Sequence, residues 1–97
     1  MTDYAVYFTA QSRRDLNAIR RWLLQPGSGL KARLKMTRIS RALIELQFRP
    51  DRWPQSSTLG LRQHVIEGHT ILYKLDEQAQ EVTVMRVFSP YQNRTEP

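Results

Sequence analysis

Cysteine is absent from these 97 residues, which removes a disulfide scaffold, a thiol nucleophile and a thiolate metal site together. Histidine is scarce. His64 and His69 are the only two, and two imidazoles without acidic neighbours make a poor metal site, so neither a metal nor a cofactor is expected. Long apolar runs are missing as well. The longest, Tyr4 to Phe8 and Trp22 to Leu24, fall far short of the ~20 residues that span a bilayer, and no membrane partner is expected. The N-terminal Met-Thr-Asp-Tyr has no basic region leading into an apolar run, the pattern of a signal peptide, and the cytoplasm is the expected compartment. Internal repeats and low-complexity stretches are also lacking. With 40% hydrophobic and 25% charged residues, the composition is that of a globular chain. One domain over residues 1–97 is expected, with a polar tail from about residue 90.

Acidic residues are sparse in one half of the chain. The protein carries 15 Lys and Arg against nine Asp and Glu, a net charge of +6, and its pI is near 10.3. From Ala10 to Arg49 there are ten bases and two acids (Asp15 and Glu45), a balance of +8, while the remainder stands at −2. Such asymmetry suits an anionic partner: nucleic acid, an acidic protein segment or a membrane surface. A solubilising face on two helices is the alternative.

The apolar pattern predicts the order β-α-α-β-β-β, an α+β class. Tyr4, Val6 and Phe8 alternate with Ala5 and Tyr7, the period of a strand, and apolar residues on both faces place it away from an exposed edge. Thr9 or Ser12 can cap a following helix, with Asp15 in its first turns, where a carboxylate suits the positive end. Leu16, Ile19, Trp22 and Leu23 recur at helical spacing. Pro26-Gly27-Ser28-Gly29 ends that helix. A second helix, from about Leu30 to Phe48, carries the stripe Ala32, Met36, Ile39, Leu43 and Leu46, expected to face the core. Two amphipathic helices with so short a connection form an antiparallel hairpin. Arg49 to Gly60 reads as a loop, Leu61 to Ile66 as a strand, Glu67-Gly68 as a turn, His69 to Leu75 as a strand, and Glu81 to Phe88 as the most β-prone run. In that last strand Val82, Val84 and Phe88 alternate with Thr83, Met85 and Val87. The hairpin would cover one face of a small antiparallel sheet, which the first strand joins. The other face stays partly open for a ligand or large partner.

The run Leu59-Gly60-Leu61-Arg62-Gln63-His64-Val65-Ile66-Glu67-Gly68-His69-Thr70-Ile71-Leu72-Tyr73-Lys74 resembles the ParE and RelE toxins of bacterial toxin–antitoxin modules. The strand His69-Thr70-Ile71-Leu72-Tyr73-Lys74 is similar to the ParE branch, as is the ending Arg86-Val87-Phe88-Ser89. Thr9-Ala10-Gln11-Ser12-Arg13-Arg14-Asp15-Leu16 matches the family's N-terminal pattern. The resemblance implies a RelE/ParE-like fold and a toxin, held inactive by a cognate antitoxin whose acidic C-terminal segment folds onto it in a hetero-oligomer. For the ParE branch it implies inhibition of DNA gyrase, a non-enzymatic block of replication. The alternative it carries is the RelE activity, a ribosome-dependent endoribonuclease, with Arg62, His69, Arg86 and Tyr91 in catalytic roles. Thr70 stands where the RelE branch has an arginine, and Ser89 where a histidine often follows in the ParE branch.

Residue by residue, Arg86 lies in an otherwise apolar strand, so its charge must reach solvent, a carboxylate or a functional cleft. Arg62 on a neighbouring strand would give a two-arginine site for phosphate or carboxylate. His69 and Ser89, with Tyr91 and Arg94 of the tail, complete the expected target contacts. Leu16, Arg20, Trp22 and Arg41 are expected beside a groove for the antitoxin. Tyr73 is expected to place its ring in the core and its hydroxyl on a polar partner, and Trp53 to be a lid over the core or an exposed contact. A nucleic-acid-binding module without toxicity is the third class, but the aromatics are not interleaved with the bases as stacking platforms.

Overall fold

The computed structural model describes residues 3–58 and 60–90. Strand β1 (Ala5–Phe8) leads into helix α1 (Ala10–Leu23), and α2 (Gly29–Glu45) follows. One turn of 3-10 helix (Pro50–Arg52) precedes β2 (Arg62–Ile66), β3 (His69–Asp76) and β4 (Glu81–Phe88). The expected order of elements and the α+β class are both found. Thr9 is the cap of α1: its Oγ1 accepts the Ser12 backbone N–H at 3.0 Å, while its own hydroxyl donates to the Met85 carbonyl of β4 at 3.0 Å. One side chain thereby starts the helix and ties it to the sheet.

The strands lie in the order β1-β4-β3-β2, with β1 parallel to β4 and the other neighbours antiparallel. This corrects the expectation that β1 avoids an edge. Its inward residues Val6 and Phe8, and Tyr4 just before it, are half-buried, while Ala5 and Tyr7 face outward. Apolar residues on both faces therefore do not mark a central strand here. The edge is only four residues long, and the Tyr4 backbone N–H beside it donates to the Gln47 carbonyl at 2.8 Å. A short edge of this kind offers little template for unwanted pairing.

Ile19 and Leu23 of α1 and Met36, Ile39, Ala42 and Leu43 of α2 pack with Leu46 on Ile71, Tyr73, Val82, Val84 and Val87 of the sheet. The stripe read on α2 is thus core, with Ala32 packed against its margin. The helix is shorter than expected and stops at Glu45. The N–H groups of Leu46, Gln47 and Phe48 each turn back to the carbonyl three residues earlier, the tighter winding common at a helix end. Pro50 then prevents resumption. On α1 the buried side chains are Ser12, Asp15, Ile19 and Leu23. Trp22, expected on the apolar side, is instead 59% exposed.

A β-bulge decides which face each residue of β4 takes. Leu72 pairs with Arg86 but Tyr73 pairs with Val84, so Met85 is the extra residue. Strict alternation from Val82 and Val84 would place Arg86 in the core. The bulge puts Val87 there instead, fully buried, and leaves Phe88 half-exposed. The simple period-two reading, with Val87 opposite Val82 and Val84, is corrected accordingly.

Tyr73 is fully buried and its hydroxyl donates to the Pro50 carbonyl, as expected. Burial raises the pKa of that phenol to about 12. Trp53 is half-buried, packs on the margin of the core and stacks on His64 with ring centroids 3.7 Å apart. It is the lid. Glu67 and Gly68 make the β2–β3 turn, both at positive φ (52° and 76°), as a two-residue hairpin loop of type I′ requires.

Candidate functional site

Strand β1 ends opposite Val84, so on that side the second half of β4 has no strand neighbour. Helix α1 replaces it with side chains. Asp15 Oδ2 accepts the Val87 backbone N–H at 2.9 Å and Arg86 Nε at 2.8 Å, while Oδ1 accepts from Arg86 Nη2 and from Gln11 Nε2. The Asp15 side chain is 5% exposed and that of Arg86 35%. Burial by itself pushes the Asp15 carboxyl up, but the hydrogen bonds from Arg86, Val87 and Gln11 and the Arg86 charge hold it below its ordinary 3.8. The Arg86 guanidinium also lies over the Phe88 ring, 4.7 Å from its centre. Arg86 is therefore committed to a structural ion pair.

Beside this pair a cleft of about 630 Å³ opens between α1, Lys35 of α2 and the end of the sheet. Ile19, Trp22, Leu23 and Pro90 give it apolar walls, Arg14 and Lys35 line it with cations, and His69 and Ser89 face it. His69 is 3% exposed. Its Nδ1 is 2.9 Å from the Glu67 carbonyl, and burial, aided by the Lys35 charge, draws its pKa below 6.5 against the opposing pull of Glu67. The ring is thus neutral near pH 7, with its proton on Nδ1 to donate to that carbonyl and a lone pair on Nε2.

A second, more open depression of about 730 Å³ lies across the outer sides of α1 and α2. Arg20, Arg33 and Arg41 line it with one acid, Glu45, among the apolar Leu24, Met36, Ile44 and Phe48. Leu24, Ile44 and Phe48 are exposed, and none of the three arginines belongs to an ion pair among the described residues. On the open face of the sheet a third, smaller pocket is lined by Ser56, Ser57, Thr58, Gln63, Thr70, Leu72 and Phe88, all uncharged.

The expected site residues are thus divided. His69 and Ser89 meet in the cleft, with Arg86 held behind it by Asp15. Arg62 does not join Arg86, because β3 separates their strands. Its guanidinium donates to the carbonyls of Trp53 and Asp51 at 2.6 and 3.2 Å, which fastens the loop before β2. The expected two-arginine site is not formed. Arg20 and Arg41 share the basic groove, whereas Trp22 lines the cleft on the other flank of α1 and Leu16 packs against the core. Tyr91 and Arg94 lie outside the described residues. Asp15 was missed as a partner, although its spacing from Ser12, Ile19 and Leu23 puts it on the buried side of α1. An acid on one apolar stripe and an arginine on another were the available signal. Among the described residues no group of three His, Cys, Asp or Glu stands together as metal ligands, and no helix is long and apolar enough to cross a membrane.

The same architecture occurs in solved toxin structures. A chain of the chromosomal ParDE toxin–antitoxin system of P. aeruginosa superposes with a TM-score of 0.72 at 18% identity, over 89% of this chain and 95% of that one. A chain of the RelBE2 toxin–antitoxin complex of Mycobacterium tuberculosis gives 0.58 at 26% identity, over 90% and 98%. One from the intact E. coli RelBE complex gives 0.60 at 13% identity, over 92% and 99%. The fold is that of the ParE/RelE superfamily. Sequence narrows this further: residues 6–93 match the ParE toxin of type II toxin–antitoxin systems, and the chain belongs to that family. A comparison with the curated proteins finds no match.

Proposed function

We propose that this toxin inhibits DNA gyrase, so that replication stalls, and that a cognate antitoxin neutralises it by direct binding. The family match over residues 6–93 supports the toxin role, and the uncharged lining of the small pocket on the open sheet face, with Arg86 beside it held by Asp15, carries the choice of target. Cleavage of a phosphodiester needs cations for the phosphorane and a group to move the 2′-hydroxyl proton. In this chain Arg62 is tied to loop carbonyls, Arg86 to Asp15, and Thr70 and Leu72 occupy the centre of the open face. These assignments disfavour a nuclease. The protein then acts by occupying its target, with no chemical step of its own.

The antitoxin is read as an acidic segment lying in the groove of Arg20, Arg33 and Arg41. Its apolar side chains would cover Leu24, Ile44 and Phe48, and its carboxylates would meet the guanidinium groups. Charge of this density also speeds encounter. His69 and Ser89 in the cleft are the proposed target contacts. The second reading, a ribosome-dependent endoribonuclease, is favoured by the 26% identity to a chain of the RelBE2 complex.

Pulse-labelling after tightly controlled induction in a bacterial host separates the two. Gyrase inhibition predicts that DNA synthesis stops first, with the damage response switched on. Prior collapse of protein synthesis would transfer the assignment to the nuclease.

A further inference from the structure

Helix α2 carries two apolar stripes where a surface helix has one. The inner stripe belongs to the core. The outer one runs through Leu30, Leu34, Thr37, Arg41 and Ile44 to Phe48 just past the helix, at spacings of 4, 3, 4, 3 and 4, which keep its members on one side. Its four large apolar side chains are all exposed, Leu30 by 64% and Ile44 by 61%. Thr37 adds little polarity to the row, because its hydroxyl donates back to the Arg33 carbonyl at 3.1 Å. A continuous apolar row facing solvent marks a surface with a partner.

The charges beside this row have one sign. Between Leu16 and Ile44 there are seven Lys and Arg and no acid. At 3.6 residues per turn, Lys31 and Arg33 flank the two leucines on opposite sides. Neither they nor Arg41 belong to an ion pair among the described residues. A second copy of this chain, at +6, would set like charges against one another. Leu30, Lys31 and Leu34 also lie outside both the cleft and the basic groove, so neither cavity frames a peptide over them. Their partner must be broad, apolar beneath and anionic at its surface.

We propose that the outer side of α2 docks on an anionic lipid surface. Leu30, Leu34, Ile44 and Phe48 enter the boundary between headgroups and acyl chains, and the helix lies in that plane. Lys31, Arg33 and Arg41 lay their stems along the apolar surface and carry their charges to the lipid phosphates. The expectation of no membrane partner rested on the missing spanning run, which bears on crossing a bilayer and not on lying against one. The groove end of this row is also the proposed seat of the antitoxin, so the two occupants compete.

The test is co-sedimentation of the full-length protein with vesicles of phosphatidylglycerol and phosphatidylcholine in equal parts. Binding is expected, with none to phosphatidylcholine alone, and part of it should survive salt that screens exposed charges. Leu30→Ser/Leu34→Ser should weaken it at least about tenfold, and Lys31→Ala/Arg33→Ala about tenfold, each with Tm unchanged. Arg13→Ala/Arg14→Ala, which removes the same charge from α1, should leave it nearly unaltered. The proposal is overturned if the protein stays in the supernatant. Equal sedimentation of the leucine variant would overturn it too, by showing attraction through net charge alone. Failure to sediment with vesicles alongside binding of a DNA duplex in the same buffer would overturn it and assign the surface to nucleic acid. None of these outcomes bears on the choice of gyrase as target.

Discussion

The two flanks of α1 handle charge in opposite ways. Facing the end of β4, Asp15 and Arg86 neutralise each other and complete a strand edge that β1 has left open. Facing outward, Arg20 lies with Arg33 and Arg41 among exposed apolar side chains, without an ion pair among the described residues. The difference teaches where to look for function. Charges that the fold consumes stabilise it, whereas charges set among exposed apolar groups are available to a partner. Arg86 attracted attention from the sequence, but the groove arginines are the ones left free to bind.

The sharpest way to break this comparison is Asp15→Ala. It strands the Arg86 charge and the Val87 N–H together, a loss of about 3 kcal/mol, and Tm should fall by more than about 10 °C. A loss below about 1 kcal/mol in urea unfolding would show that the pair is not structural. Reversing the groove with Arg20→Glu/Arg41→Glu should do the converse. Stability should change by no more than about 0.5 kcal/mol, while affinity for an acidic antitoxin segment, measured by calorimetry, should drop at least about tenfold. Tyr73→Phe tests the core away from α1. It leaves the Pro50 carbonyl without its donor and should cost about 1–2 kcal/mol.

Stability should also fall with acidity in two stages. Asp15 is held below 3.8, so its contribution is complete above that value and is lost as pH drops through the folded value. His64 and His69 are held below 6.5, both chiefly by burial. The unfolded chain binds their protons first, and stability declines as pH falls from about 6.5 toward the folded values. Urea midpoints measured across this range should show both stages, with His69→Asn reducing only the earlier one. The smallest effect is expected from Arg38→Ala. It breaks an ion pair with Glu67 whose arginine is 57% exposed, worth no more than about 1 kcal/mol.

Much of this architecture was legible because its elements carry local signals. The α2 stripe, the Thr9 cap, the Glu67-Gly68 turn and the Tyr73 anchor all follow from spacing or residue chemistry within a few positions. What was hidden depends on pairing between distant segments. The bulge at Met85 arises only when β4 is set against β3, and it alone moves Val87 inward and Arg86 out of the core. The edge position of β1 follows from its parallel pairing with β4, which no alternation within Ala5–Phe8 encodes. The Asp15–Arg86 pair spans 71 positions, and its acid looked like a helix-dipole residue. Trp22 was expected beside the groove with Arg20, but it lines the cleft with His69 and Ser89. In a helix, residues two apart point in different directions.

The most direct test of the account is purified DNA gyrase with the refolded, antitoxin-free protein, assayed for supercoiling and for cleaved DNA trapped by denaturation. The account predicts that supercoiling is lost and cleaved DNA accumulates, and that both effects are reversed by the cognate antitoxin. Unimpaired gyrase, together with cutting of ribosome-bound message by the same preparation, would contradict it.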